Sequence, residues 1–137
     1  MAGTAGYSGT PLPKKLGIKE GHQVAFPAAP DDFAETLGEL PDGVVAKPVA
    51  RGPLDVVVLF VRRRAELERR VDALGRAIFP DGGLWIAWPK RTSGIASDMT
   101  EDVVREVALP RGLVDNKVCA IDGTWSGLRT VWRRENR

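Results

Sequence analysis

Three cations, two indoles and a few small polar groups carry most of the chemistry that this chain offers. Arg62, Lys90 and Arg91 supply positive charge, Trp88 and Trp125 flat walls, Ser93 and Ser126 hydroxyls, and Asp122 a carboxylate. Brought into one concavity, these types would hold a small anion or a nucleotide-like ligand. Guanidinium and ammonium groups would pair with its charge, and an indole would stack on a planar part. Each residue also has a plainer job. Arg62 can be the solvated start of a helix, the two tryptophans can pack beneath a loop, and Ser126 can serve a turn. Asp122 can pair with Lys90 and hold the loop instead of facing a ligand.

Other reactive types are too sparse to assemble a catalytic centre. His22 is the only histidine and Cys119 the only cysteine, with no CxxC partner, so no metal site and no internal disulfide are expected. Ser93 and Ser126 lack a GxSxG context, and one histidine leaves little for a nucleophilic triad. Asp98, Glu101 and Asp102 can act as paired carboxylates, but their place at a helix start suits capping and the helix dipole. The arginines of residues 62–70 could touch phosphates, but the interleaved Glu66 and Glu68 favour an ordinary exposed helix face. No cofactor is called for by these residues.

The elements that must position the candidates centre on residues 53–90. Residues 56–61 are an unbroken apolar run that suits a strand buried on both faces. Leu67, Val71, Leu74 and Ile78 form one stripe of a following helix, with Glu66–Arg70 and Asp72–Arg76 as expected i,i+4 pairs on its wet side. Gly75 weakens that helix by about 1 kcal/mol relative to Ala, so packing must hold it. Pro80, Asp81, Gly82 and Gly83 turn the chain into a second strand at residues 84–88. Upstream, a helical turn at 14–21 closed by Gly17 leads into a strand at 23–26, a short helix presenting Phe33 and Leu37, and an edge strand at 44–48. Downstream, residues 89–99 have the length and polarity of a lid or binding loop. Thr100 caps a helix with Val103, Val104, Val107 and Ala108 inside, and strands at 114–121 and 128–133 form an antiparallel hairpin about a turn at 122–127. The predicted fold is a three-layer Rossmann-like α/β domain over residues 14–137, after a mobile tail at 1–13. Its six-stranded sheet is expected to be mostly parallel and to end in that antiparallel hairpin.

In such sheets ligands bind outside the carboxyl ends of the strands. That edge collects residues 27–31, 62–64, 88–97 and 122–127. A site is therefore expected between the 88–97 loop and the 122–127 turn, with Lys90 and Arg91 drawing an anion to the face of Trp125. Cys119, in an apolar strand, is expected to be buried and inert.

At 137 residues with a formal charge of +2, the chain is one domain and not an electrostatic nucleic-acid binder. No apolar stretch has the length of a membrane span, and the first residues lack an apolar signal core, so a cytoplasmic protein is expected.

The order of elements resembles a S-adenosylmethionine-dependent methyltransferase reduced to six strands; with the short 122–127 connection, that resemblance implies the sheet order 2-1-3-4-6-5 with only the sixth strand antiparallel. LGIKEGHQV is similar to the lead-in to that family's first strand, LDVVVLF to its fourth and FPDGGLWI to its fifth. The family's acidic, glycine-rich turn after the first strand is replaced by FPAAPDDF, so none of its cofactor-binding residues carries over. Over nearly the whole chain, KKLGIKEG, LWIAWPK and TEDVVREVALPRGLVDNKVCAIDGTWSGL resemble a small bacterial family catalogued as a domain of unknown function (number three thousand and fifty-two). That resemblance implies fold and family and no activity. Together these features favour a noncatalytic regulatory or partner-binding domain acting through a protein partner or a small anionic ligand. The alternative is a small-molecule binder or enzyme of methyltransferase descent, taking an anion, a nucleotide-like compound or S-adenosylmethionine.

Overall fold

A computed structural model describes residues 9–137. The expected tail, as far as residue 8, lies outside the described residues. The order of elements is α1 (Leu12–Leu16), β1 (Gln23–Ala25), α2 (Phe33–Leu37), β2 (Val45–Ala46), β3 (Val56–Phe60), α3 (Arg64–Ile78), β4 (Gly83–Pro89), α4 (Glu101–Ala108), β5 (Leu113–Ala120) and β6 (Trp125–Trp132). The strands form one sheet in the order β2-β1-β3-β4-β6-β5. Pairing is parallel from β2 to β4, and β6 runs antiparallel to both of its neighbours. This is a six-stranded Rossmann-like α/β fold, as the sequence predicts.

Alternation along β3 builds two cores. Val57, Leu59 and Val61 face α3 and α4, where Leu67, Val71, Leu74, Ile78, Val104 and Val107 are buried. Val56, Val58 and Phe60 face the other way, against Leu12 and Leu16 of α1 and Phe33 and Leu37 of α2. Both sides of the central strands are therefore covered, which is why residues 56–61 read as a continuous apolar run. Trp85 is fully buried on the α1 side, and its Nε1–H donates to the Leu16 carbonyl at 3.0 Å, joining the first helix to the sheet. Helix α1 opens at Leu12 rather than residue 14, because Leu12 and Pro13 are buried in that core, and it closes at Gly17 in the left-handed region.

Several local expectations are corrected. Neither Glu66–Arg70 nor Asp72–Arg76 pairs. Glu66 turns back to the N–H groups of Arg62 and Arg63, and Asp72 bonds Arg111 from beyond α4. The Gly75 position is packed by Trp132, whose ring lies 3.3 Å from where a Cβ would stand and whose Nε1–H donates to the Gly75 carbonyl at 2.8 Å. Strand β6 begins at Trp125, three residues earlier than predicted, because Asp122 closes the hairpin within four residues: its Oδ1 accepts from the N–H of both Thr124 and Trp125 at 2.8 Å. Cys119 is half-buried, since β5 is the edge strand, and desolvation still pushes its thiol pKa up. Thr100 caps α4 as predicted, accepting from the Val103 N–H. Among the described residues no helix is long and apolar enough to cross a membrane.

Candidate functional site

Strand order reverses between β1 and β3, so the loops leaving these two strands diverge and frame the crevice where open α/β sheets bind ligands. Here the crevice is tightly lined. The chain after β1 turns at once, with the Ala29 N–H donating to the Phe26 carbonyl, and Ala28 stands at a φ of 61°. The Pro27 carbonyl accepts from the Phe60 N–H at 3.2 Å, which ties this turn to the end of β3. Beside it runs a chain of rings packed edge to face: Phe26 on Phe33 at 5.1 Å, Phe33 on Phe60 at 4.9 Å, and Phe60 on Trp125 at 5.1 Å. Such pairs add about 0.5 to 1.5 kcal/mol each beyond burial of their area.

A cleft of about 320 Å³ remains over this wall, between Ala28, the β3–α3 junction and Trp125. Arg62, Arg69 and Arg70 line it, and Glu66 is the one carboxylate among them. Glu66 is already engaged: its Oε1 accepts the Arg62 N–H at 2.8 Å and the Arg63 N–H at 3.2 Å. These backbone bonds, the Arg62 one foremost, and the nearby Arg62 and Arg69 guanidiniums hold its pKa below the ordinary carboxylate range. The cleft therefore presents three guanidiniums, a compensated carboxylate and the indole of Trp125.

The set expected from sequence is divided. Arg62 and Trp125 share this cleft, whereas Trp88, Lys90 and Arg91 line another of about 540 Å³ beside α4. The reason is the pleat. In the β4–β6 register Pro89 lies opposite Trp125 and Trp88 opposite Ser126, so Trp88 packs on the α3/α4 side and Trp125 on the α1/α2 side. The Lys90 N–H still donates to the Thr124 carbonyl at 2.7 Å, so the two loops touch through backbone. In the second cleft Lys90 and Arg91 share the lining with Asp98 and Glu101, whose carboxylates are engaged by the Arg64 N–H and the Arg105 guanidinium. Ser93 and Asp122 hold turns: Ser93 Oγ accepts from the Ile95 N–H, and Asp122 closes the hairpin. Ser126 stands within β6, opposite Ala120 and Trp88.

The 89–99 loop, expected as a lid or binding loop, is strapped down. Ser97 Oγ donates to the Arg62 carbonyl at 2.8 Å, the Asp98 N–H donates to the same oxygen at 3.2 Å, and Asp98 Oδ1 accepts from the Arg64 N–H at 2.7 Å. Arg69 and Arg70 belong to the run that could touch phosphates, and the interleaved glutamates make an exposed helix face the favoured reading. The available signal was spacing, because they fall three and four residues after Glu66 and so share its side of the helix. Among the described residues, no group of three or more potential metal ligands comes together.

Comparison with known proteins identifies the fold. A structure described as a candidate type 11 methyltransferase from Sulfolobus solfataricus superposes with a TM-score of 0.63 at 14% identity, over 89% of each chain. A SAM-dependent methyltransferase from Aquifex aeolicus gives 0.58 at 16% identity over 85% of each chain. The magnesium protoporphyrin IX methyltransferase of Synechocystis, with bound SAM, gives 0.56 at 11% identity, over 89% of this chain and 74% of that one. No family model matches the chain, and no curated protein is similar to it in sequence. The chain thus has the methyltransferase-like fold.

S-adenosylmethionine does not fit the residues present at the switch point. The turn after β1 has no glycine and is tied to β3, aromatic rings fill the space beside it, and three arginines surround what remains, where a sulfonium would bring further positive charge.

Proposed function

We propose that this chain is a small-molecule-binding protein of methyltransferase descent, and that its ligand is a nucleotide-like anion seated between Arg62, Arg69, Arg70 and Trp125. One observation carries the reading: at the switch point of the sheet, three arginines and an indole line one cleft, and the only carboxylate lining it is occupied by backbone N–H groups. An anionic group pairs with the arginines while a flat ring stacks on the indole. The fold comparisons favour this reading over a regulatory domain working through a protein partner, since the similar structures include one holding a small ligand in its own site.

Titration calorimetry with ADP, against S-adenosylmethionine and S-adenosylhomocysteine, tests it. ADP should bind, and Arg62→Met should weaken it about tenfold to a hundredfold, the worth of one charge-assisted contact. Binding of S-adenosylmethionine with no heat from ADP would overturn the reading.

A further inference from the structure

The opposite edge of the sheet, where the parallel strands begin, carries a separate cleft of about 420 Å³. Its lining joins α1 and the turn after it to the start of β3 and the middle of the β5–β6 hairpin. Arg129 of β6 is its most unusual member. The guanidinium lies across the start of β4, where a Cβ on Gly83 would come within 2.6 Å of it, so glycine is what admits it. Arg129 is half-buried, and desolvation lowers its pKa with no partner raising it. Among the described residues its guanidinium makes no hydrogen bond or ion pair, although the Arg129 backbone pairs within the sheet as part of β6. Its nitrogens reach the open cleft, since none is a buried donor without a partner, so a bound anion can pair with a guanidinium that the protein leaves unpartnered.

The surrounding groups line the same cleft. Strand β5 slips register between Asp115 and Lys117, leaving Asn116 as an extra residue. Consecutive strand residues ordinarily face opposite sides. Here both Asn116 and Lys117 line the cleft, as a bulge allows. Lys117 Nζ donates to the Lys15 carbonyl at 2.9 Å, and Lys15 Nζ donates to the Ala120 carbonyl at 3.1 Å, which fixes both ammonium groups. His22 Nδ1 accepts from the Lys19 N–H at 3.1 Å, so a neutral ring keeps Nε2–H as a donor. Lys15, Lys19, Lys117 and Arg129 stand against two carboxylates, Asp55 and Asp81. Asp55 is engaged by the Gln23 N–H at 2.8 Å.

We propose that this cleft binds a small phosphate-bearing anion, with Arg129 as its central contact and Asn116, Lys117 and Lys19 around it. The site is independent of the one at the switch point. Calorimetry with inorganic pyrophosphate tests it on the full chain. Pyrophosphate should bind the unaltered protein, and Arg129→Met should weaken it about tenfold to a hundredfold. Lys19 is exposed, so Lys19→Ala keeps the test decisive if Arg129→Met fails to fold; it should weaken pyrophosphate severalfold. Because ADP carries a diphosphate of its own, the two sites are separated by chemical-shift mapping: pyrophosphate should move the amides of Asn116, Lys117 and Arg129, Arg129→Met should remove that response, and Arg62→Met should leave it in place. Absence of pyrophosphate binding, or binding insensitive to both Arg129→Met and Lys19→Ala, would overturn the proposal.

Discussion

Replacing Ala28 with glycine should stabilise the protein. Ala28 is the only non-glycine among the described residues with positive φ, at 61°, where an L side chain meets its own carbonyl. That conformation costs an L-residue about 1 to 2 kcal/mol relative to glycine. Glycine gives some of this back, because its unfolded chain is freer by about 0.4 to 1 kcal/mol. The methyl group is exposed, so little buried apolar area is lost in exchange. The net expectation is a gain of about 0.5 to 1 kcal/mol, or roughly 2 to 4 °C in Tm for a domain of this size. Urea melts followed by tryptophan fluorescence should show a higher midpoint at unchanged slope. A lower midpoint would refute the reasoning, since the turn after β1 would then depend on the Ala28 methyl group rather than tolerate it.

Trp85→Phe should cost about 1 to 3 kcal/mol, because the buried Leu16 carbonyl loses its donor; urea denaturation measures this, and an unchanged midpoint would remove the Trp85 bond from the account. Glu66→Gln should flatten the acid limb of stability. The folded pKa of Glu66 is lowered, so its contribution is present above the unfolded value of about 4 and is lost as pH falls through the folded one. Denaturation midpoints from neutral to acid pH read this, and parallel profiles for the two proteins would contradict it. Cys119, half-buried with a raised pKa, should react with a thiol reagent more slowly in the native than in the denatured protein, with the gap narrowing as pH rises. Equal rates near neutral pH would refute that.

The sheet was legible because its determinants are local and redundant. Residues 56–60 have no polar position, the helical stripe follows at once, and the short hairpin connection makes β5 and β6 antiparallel neighbours; that β6 rather than β5 lies beside β4 was implied by the methyltransferase resemblance. The site was half legible. Sequence shows which loops reach the ligand edge, but the face on which each side chain stands depends on register. One step of the pleat separates Trp88 from Trp125 and divides the expected set. The start of β6 was hidden because the Asp122 carboxylate, by closing the turn on two N–H groups, extends a strand through Trp125, Ser126 and Gly127, residues that look like loop. Arg69 and Arg70 read as solvated helix, and only the end of β3 and Trp125 beside them make a cleft of that face. Arg129 gave no signal at all, since its setting needs Gly83 across a strand pair and a bulge in β5.

The most direct measurement is an amide and indole chemical-shift map of the protein titrated with ADP. The account predicts shifts concentrated at Ala28, at Arg62 and the first turns of α3, and at the Trp125 indole N–H, with residues 95–99 little affected. Shifts centred on Lys90, Arg91 and Asp98, or no response to ADP while S-adenosylmethionine moves the turn after β1, would contradict it.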